Sequence, residues 1–547
     1  MNHTNTFPQY RLRRMLTMLA ACLMLTACLD EDPKGQLTEE QAFSSASSLY
    51  ANAVASLYNH IGGKADSEGL QGTYRGVYDF NTFTTDEAMI PTRGGDWYDG
   101  GFWQRLYLHT WTASDESLNR TWDYLFKVVM LCNQSLSLIG KYASLLTPAE
   151  KQAYTAEVRA IRAMYYFYLL DMFGRVPIVT DANVSVSQVK QSKRSEVFRF
   201  VVNELQEVLP SLQFYYSNHL GAYYGRLTQP VGCFLLAKLM LNAEVYSHDD
   251  WTTQPRPDGK NIMFAVDGEQ MNAWDACLAY CEKLQAMGYE LEDDYGDNFD
   301  THNENSQENI FTIPMDKFLY TNVFKNLFRS RHYQHGSAIG MDAENGSCAT
   351  LSTCRKYGYG SERYDLRFDI NFYYDNLTID DKPVMLEDGT QLNYQPLEVK
   401  LDLTGSPYEK TAGARMKKYT LDRTAYSDGQ LQANDIVLFR YADIVLMQAE
   451  AKCRKGESGQ QELDLVRSRV YEEPIECNLQ NILDERLREL MWEGWRRQDL
   501  IRFDQFHLAY DQRPQLPDEA NRYTTVFPIP NDARALNTNL MQNPGYN

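Results

Sequence analysis

Residues 231–241 are apolar on nearly every side, from Val231 through Phe234 and Leu239 to Leu241. A helix of that kind has no face to offer water, so the rest of the fold has to enclose it. Its neighbours read as helices too. Thr147-Pro148-Ala149-Glu150 supplies a cap, a proline at the first helical position and an acid at the third. Tyr154, Val158, Ile161, Tyr165, Leu169 and Met172 then share one face until Gly174 and Pro177 stop the helix. Val197, Val201, Leu205 and Val208 form another face ended by Pro210, and Trp274, Cys277, Cys281 and Leu284 a further one closed by Gly288. Nearer the start, Thr38 and Gln41 read as a capping box, with Phe43, Ala46, Tyr50, Val54 and Leu57 repeating behind it. Short paired helices in this number predict an α-solenoid of helical hairpins, although no clean repeat of about 34 residues marks them as regular tetratricopeptide units.

From about residue 289 to 433 the texture changes. Gly, Asn, Asp and Tyr accumulate, helical periodicity fades, and only short runs such as Asn309 to Ile313 read as strands. Helices return with Tyr441 to Lys455 and with Asn478 to Trp492. The second of these carries Leu479, Ile482, Leu487 and Leu490 inward and an Asp484–Arg488 pair on its outer face. The expected chain is mainly α, with a helical scaffold over about 38–288 and 434–510 and an irregular, loop-rich region over about 289–433.

The N-terminus reads as an address. Arg11, Arg13 and Arg14 precede the uncharged apolar run Met15 to Ala27. That run is too short to span a bilayer, which takes about 20 apolar residues, and it suits the core of a signal peptide. It ends in Leu25-Thr26-Ala27-Cys28, which resembles a bacterial lipobox. Residues 1–27 are therefore expected to be a lipoprotein signal, and Cys28 the acylated first residue of the mature chain. Leu29-Asp30-Glu31-Asp32 follows within an acidic tether over 28–37 and resembles a surface-export signal. The net charge is −20, with no basic stripe to offset it, so nucleic-acid binding is not expected. Cys277 and Cys281 lie four apart on one helix face, the spacing of core residues and not of a paired zinc site, and the cysteine spacings assign no disulfide.

Four segments together carry a family resemblance. Arg159-Ala160-Ile161-Arg162-Ala163-Met164-Tyr165-Tyr166-Phe167, followed by Asp171-Met172-Phe173-Gly174 and Val176-Pro177, resembles the central helix signature of SusD/RagB-type nutrient-binding lipoproteins. The run Arg440 to Ala451 is similar to the second signature of that family. Glu485 to Leu490, with Glu493-Gly494, Arg496, Asp499-Leu500 and Arg502-Phe503, is similar to the third. Phe527-Pro528-Ile529-Pro530 and the closing Gln542-Asn543-Pro544-Gly545-Tyr546 resemble its usual ending. The resemblance implies one SusD-like domain over 38–547, built on about four tetratricopeptide-like helix pairs. It implies an outer-membrane lipoprotein facing the medium, which captures glycan and passes it to a SusC-like TonB-dependent transporter. It implies no catalytic machinery and no cofactor, and it makes the signature Arg and Glu residues ion-pair partners.

The loop opened by Thr85-Asp86-Glu87-Ala88 is the first site candidate. It holds Asp96, Trp97 and Tyr98 between glycine pairs at 94–95 and 100–101, with Arg93 just before the first pair and Trp103 just after the second. Flat aromatic faces suit the C–H face of a sugar, and charged hydrogen-bonding groups suit its hydroxyls. The resemblance places one wall of a glycan site here, although Trp97 and Trp103 also suit the part of anchors packing the loop onto the helices. It places a second wall within about 316–360, where Tyr320, Tyr333 and Tyr359 are available. Asn345-Gly346 is followed there by Ser347, not by an aromatic residue, which departs from a starch-type aromatic arc. Asp294, Asp297 and Asp300 are weak calcium candidates that lack EF-hand spacing and read first as a solvated acidic turn. Two other readings stand beside glycan binding: a surface glycoside hydrolase, for which no catalytic motif appears, and a scaffold or non-glycan binding protein on the same fold.

Overall fold

The computed structural model describes residues 39–320 and 322–546. The expected signal segment, Cys28, the acidic tether and the Thr38 cap lie outside the described residues. The helices that frame the molecule are α1 (Ala46–Ala53), α2 (Phe102–Leu108), α3 (Glu116–Lys141), α4 (Pro148–Phe173) and α5 (Arg194–Val208). They continue as α6 (Gln229–Leu241), α7 (Ala273–Ala286), α8 (Tyr441–Lys455), α9 (Gln460–Arg469), α10 (Leu479–Leu490) and α11 (Arg496–Arg502). Every residue from Pro230 to Leu241 in α6 is buried, as an all-round apolar helix requires. Packing runs in series: α3 on α4, α4 on α5, α6 on α7, α7 on α8, and α8 on α9 and α10. This is the expected mainly α row of helical hairpins. Thr147 caps α4 in a full capping box with Glu150, with Pro148 in the first turn and Gly174 at the C-terminal end in the left-handed region.

Two helical expectations change. The periodic run from Phe43 to Leu57 is not one helix. A four-residue helix, Glu39–Ala42, stops, and Ser45 begins α1 afresh. The Ser45 hydroxyl accepts from the Ser48 amide at 3.1 Å while the Ser48 hydroxyl accepts from the Ser45 amide at 3.0 Å. Serines that satisfy backbone groups in this way start helices better than they continue them. The Asp484–Arg488 pair does not form either. Lys356 takes Asp484 at 2.5 Å, and Arg488 turns to Glu485 at 2.7 Å.

The irregular region is stapled to the scaffold by short antiparallel pairs. Strand β1 (Ala88–Met89) pairs with β3 (Cys348–Ala349), and β2 (Asn309–Ile313) with β4 (Ile436–Arg440), Ile313 opposite Ile436. It is less irregular than its composition suggests, since short helices occur at Lys325–Ser330, Tyr333–Ala338, Leu351–Lys356 and Arg367–Asn371.

Buried charge ties these parts together. Arg440, fully buried, reaches Glu308 and Glu489 with Nη1 at 2.6 Å each, and Glu493 with Nη2 at 2.9 Å. Arg367 binds Asp365, Glu485 and Glu489, and Arg469 binds Glu308 and Glu489. Burial alone would raise the Glu485 carboxyl, but Arg367, Arg488 and Arg467 hold it down to about 2. Arg440, Glu485, Glu489 and Glu493 of the signature segments are thus ion-pair partners in the core. The eight described cysteines are free thiols, with Cys277 and Cys281 buried. Among the described residues no helix is long and apolar enough to cross a membrane.

Candidate functional site

The loop after β1 is fixed at its root before it reaches the surface. Asp86 is buried and bound by Arg496 through both oxygens, at 2.6 and 2.8 Å. Burial pushes the Glu87 carboxyl up to about 8, although its Oε1 accepts from the Trp492 amide. Thr92 pairs its backbone with Leu401 and Leu403. Arg93 then turns inward. Its guanidinium is fully buried and donates to the carbonyls of Gly346, Glu409 and Ala412 at 3.3, 3.1 and 2.9 Å. Burial, with Arg415 nearby, lowers it to about 9. Arg93 is therefore not a ligand-facing residue but the bolt that holds three loop segments together, because unpaired carbonyls in a buried turn need a donor with several N–H groups.

Beyond Arg93 the backbone bends sharply around Trp97. Arg75, Trp97 and Asp99 all adopt left-handed φ, at 56°, 62° and 45°. Non-glycine residues in that region are uncommon, and three in one place are the kind of strain that surrounding contacts must hold. The Trp97 indole is half-buried. Its Nε1 donates to the Glu344 carbonyl at 2.8 Å, and it sits edge-on to Trp103 at 5.9 Å and to Tyr74 at 6.3 Å. Gly346 lies directly behind it, where a Cβ would stand 2.6 Å from the ring. The residue after Asn345 is thus small because the indole occupies its side-chain space.

These residues wall an open cleft of about 460 Å³, lined by Tyr74, Arg75, Gly95, Asp96, Trp97, Asp99, Trp103, Tyr333 and Glu344. Its polar groups are held in fixed pairs. Asp96 accepts from Lys410 at 2.7 Å and from the Tyr333 hydroxyl at 2.8 Å. Although burial raises it, those two donors leave its carboxyl below the usual range. Asp99 accepts from Arg75 at 2.7 Å and from Trp103 Nε1 at 2.8 Å. The Tyr74 hydroxyl donates to Glu344 at 2.5 Å, and burial raises the Glu344 carboxyl. The arrangement offers aromatic surface with carboxylate, guanidinium and phenol groups already oriented around it.

Of the expected residues, the cleft unites Trp97, Asp96, Trp103 and Tyr333. Trp103 contributes from beneath, since it is 1% exposed and packed against Phe83 and Phe102. Tyr98 is exposed at 61% but lies outside the cleft lining. Tyr320 does not join it: the residue belongs to the exposed turn 316–320, beside Asp316 and Asp435. Tyr359 does not join it either, because its ring stacks on Phe368 at 5.0 Å and its hydroxyl donates to Asp375. Tyr74, Arg75, Asp99, Glu344 and Lys410 were not anticipated. Gly72-Thr73-Tyr74-Arg75-Gly76 has the same glycine-bracketed aromatic and arginine texture as the 93–103 loop, and that was the available signal. The weak calcium candidates are dispersed among local turns, with Asp294 capping the Gly296 amide and Asp300 the Thr301 amide. Among the described residues no three His, Cys, Asp or Glu side chains gather as a metal site.

A family model described as SusD family matches residues 361–546, and a second, described as "Starch-binding associating with outer membrane", matches residues 34–208. The chain is 24% identical over 512 residues to the starch-binding protein SusD of Bacteroides thetaiotaomicron, covering 88% of this chain and 87% of that one. It is 25% identical over 310 residues to a SusD-like protein of Bacteroides ovatus, covering 55% of this chain and 49% of that one. Among solved structures, surface glycan-binding protein A from Bacteroides thetaiotaomicron in complex with laminarihexaose superposes with a TM-score of 0.68 at 20% identity, over 90% of this chain and 98% of that one. A SusD-like protein from Bacteroides fragilis gives a TM-score of 0.70 at 18% identity, over 93% and 99%. With its helical hairpins, its ion-paired signature residues and both ends of the chain matched, the protein belongs to the SusD/RagB family.

Proposed function

We propose that the protein is a cell-surface glycan-binding lipoprotein that captures oligo- or polysaccharide in the Trp97 cleft and delivers it to a SusC-like TonB-dependent transporter. The observation that carries this reading is the Trp97 indole, held by one hydrogen bond and a glycine-sized gap beside oriented carboxylates and phenols. Sugars are bound by that combination of apolar face and fixed hydrogen-bonding rim. The reading is supported by relatives named for starch binding and by a neighbour solved with laminarihexaose. In this reading the protein binds without cleaving. Calorimetry of the mature chain against amylopectin, laminarin, maltohexaose and laminarihexaose, with reducing ends assayed in the same samples, tests it. Binding without new reducing ends is the expected result. New reducing ends that one Asp or Glu substitution abolishes would favour the hydrolase.

The proposed location rests on the lipobox-like Leu25-Thr26-Ala27-Cys28 and on family members described as associating with the outer membrane. Acylation supplies about 0.8 kcal/mol per buried methylene, and more than one chain anchors stably. In membranes solubilised with mild detergent the protein is expected to co-purify with its transporter, and Cys28→Ala to move into the soluble fraction. Membrane retention of Cys28→Ala, with no palmitate incorporated into wild type, would remove the anchor; recovery only as free monomer would remove the transporter.

A further inference from the structure

A second cavity lies on the helical face, and it shares no lining residue with the Trp97 cleft. It measures about 370 Å³ and sits between α1, the first turns of α4 and the segment 211–227. That volume falls within the range of small-ligand pockets, about 300–1,000 Å³. Its wall is a column of stacked groups. The Arg226 guanidinium is wedged between the rings of Tyr50 and Tyr223, at 4.7 and 4.6 Å, and is bound by both oxygens of Glu157, at 3.0 and 2.7 Å. Tyr215 extends the column by stacking on Tyr223 at 4.3 Å with an interplanar angle of 8°. Tyr154 packs on Tyr50 at the other end, at 4.9 Å.

The column is rigid yet ends in the open. Tyr215 is 54% exposed and its neighbour Phe214 55%. Tyr215 stands just outside the cavity lining, and among the described residues Tyr223 is the one ring stacked on it. Tyr50 donates its hydroxyl to Glu157, whereas the hydroxyls of Tyr154 and Tyr223 meet no protein partner among the described residues and border the cavity. Gln213 adds an exposed amide to the same rim. Aromatic rings fixed in advance and left in water lose little freedom when a ligand covers them, which is the economy of a preformed site. An exposed ring beside phenol and amide groups matches an amphipathic ring bearing hydroxyls.

We infer that this cavity is a second saccharide-binding site, which lets one molecule hold a polysaccharide at two points. The inference rests on the glycan reading of the protein, but its residues are separate from those of the cleft. Two contacts on one polymer raise apparent affinity through effective concentration, an advantage that a ligand held at one site alone lacks.

The test uses the mature chain with laminarin and amylopectin as polymers and laminarihexaose and maltohexaose as short probes. Tyr215→Ala, an exposed change, is paired with Tyr215→Ala/Tyr223→Ala, and melting curves confirm that each variant folds. The expected result is polymer affinity about ten-fold weaker in the tyrosine variants, with hexasaccharide binding at the cleft unchanged. Trp97→Ala is expected to keep residual polymer binding that disappears when combined with Tyr215→Ala. Wild-type polymer affinity in both tyrosine variants, or loss of all binding in Trp97→Ala alone, would overturn the second site and leave the cleft standing. Binding insensitive to Trp97→Ala but lost in the tyrosine variants would remove the cleft and keep the second site. No binding of any of the four probes by wild type would overturn both.

Discussion

Arg440→Ala is expected to cost about 3–5 kcal/mol of folding stability, the usual result of breaking a buried ion pair by removing one partner. Arg440 ends β4 and stands at the start of α8, and its guanidinium spans three acids from two distant parts of the chain: Glu308 before β2, and Glu489 and Glu493 at and just beyond the end of α10. All four groups are 0–1% exposed at the side chain. Without the arginine, Arg469 still serves Glu308 and Glu489, and Lys418 still serves Glu493 at 2.6 Å. Arg367 also still serves Glu489 at 2.8 Å, but the one cation that bridged all three acids is gone, and a buried carboxylate oxygen left without its donor must take up a proton or draw in water, which costs free energy. Arg440→Lys restores the charge but not the fork, and should recover only part of the loss. Urea unfolding of the two variants and wild type measures both effects. A loss below about 1 kcal/mol for Arg440→Ala would mean that desolvation cancels the attraction, and that the network sets geometry without adding stability.

That network also shows where sequence reading stops. The helices were legible because each carries its own periodic apolar face and its own start or stop: the Thr147 capping box and Gly174 for α4, the all-round apolar composition of α6. Strand β2 was legible from the short run Asn309 to Ile313, rich in Ile, Phe and Thr, and pairs with β4 as a buried strand should. Ion-pair partners were not. Arg440 and Glu308 are separated by 132 positions, and nothing local names one for the other. The single pair that spacing did suggest, Asp484 with Arg488, gave way to Lys356, which the tertiary fold brought to Asp484, and to Glu485, a neighbour of Arg488 one turn back on the same helix. A surface pair of that kind contributes only about 0.3–0.5 kcal/mol, so a closer partner displaces it readily.

The site divides in the same way. The loop 93–103 announced itself by glycine bracketing and aromatic content, but residue type did not say which side chains turn in. Arg93 beside Asp96 and Trp97 reads as a ligand group, yet the carbonyls of Gly346, Glu409 and Ala412 claim it. Tyr320, Tyr333 and Tyr359 are alike in sequence, and only Tyr333 reaches Asp96. Left-handed backbone at Arg75, Trp97 and Asp99 decides where those side chains point, and no residue type at those positions predicts it.

Trp97→Ala is expected to lower affinity for the bound glycan by about five- to 150-fold, since an anchoring aromatic contributes on the order of 1–3 kcal/mol. Trp97 is neither the free platform nor the buried anchor that its sequence context offers as alternatives. One part of the indole lines the cleft while the rest meets Gly346, Trp103 and Tyr74 and donates to the Glu344 carbonyl. Truncation should therefore also lower stability, by about 1–2 kcal/mol for the lost hydrogen bond and partial packing. Trp103→Ala provides the scale for pure packing, because that side chain is 1% exposed and its loss should cost about 3–5 kcal/mol. Trp97→Phe separates the two roles: it keeps a flat ring over Gly346 but removes the N–H, so it should bind more tightly than Trp97→Ala while giving up the bond to Glu344. Gly346→Ala approaches the same ring from behind, where a Cβ would press on it from 2.6 Å, and should displace the indole without removing it. If affinity follows the position of the ring across these variants while melting temperature follows packing, the indole binds sugar. If affinity falls only in proportion to melting temperature, Trp97 is packing alone and the cleft loses its central wall.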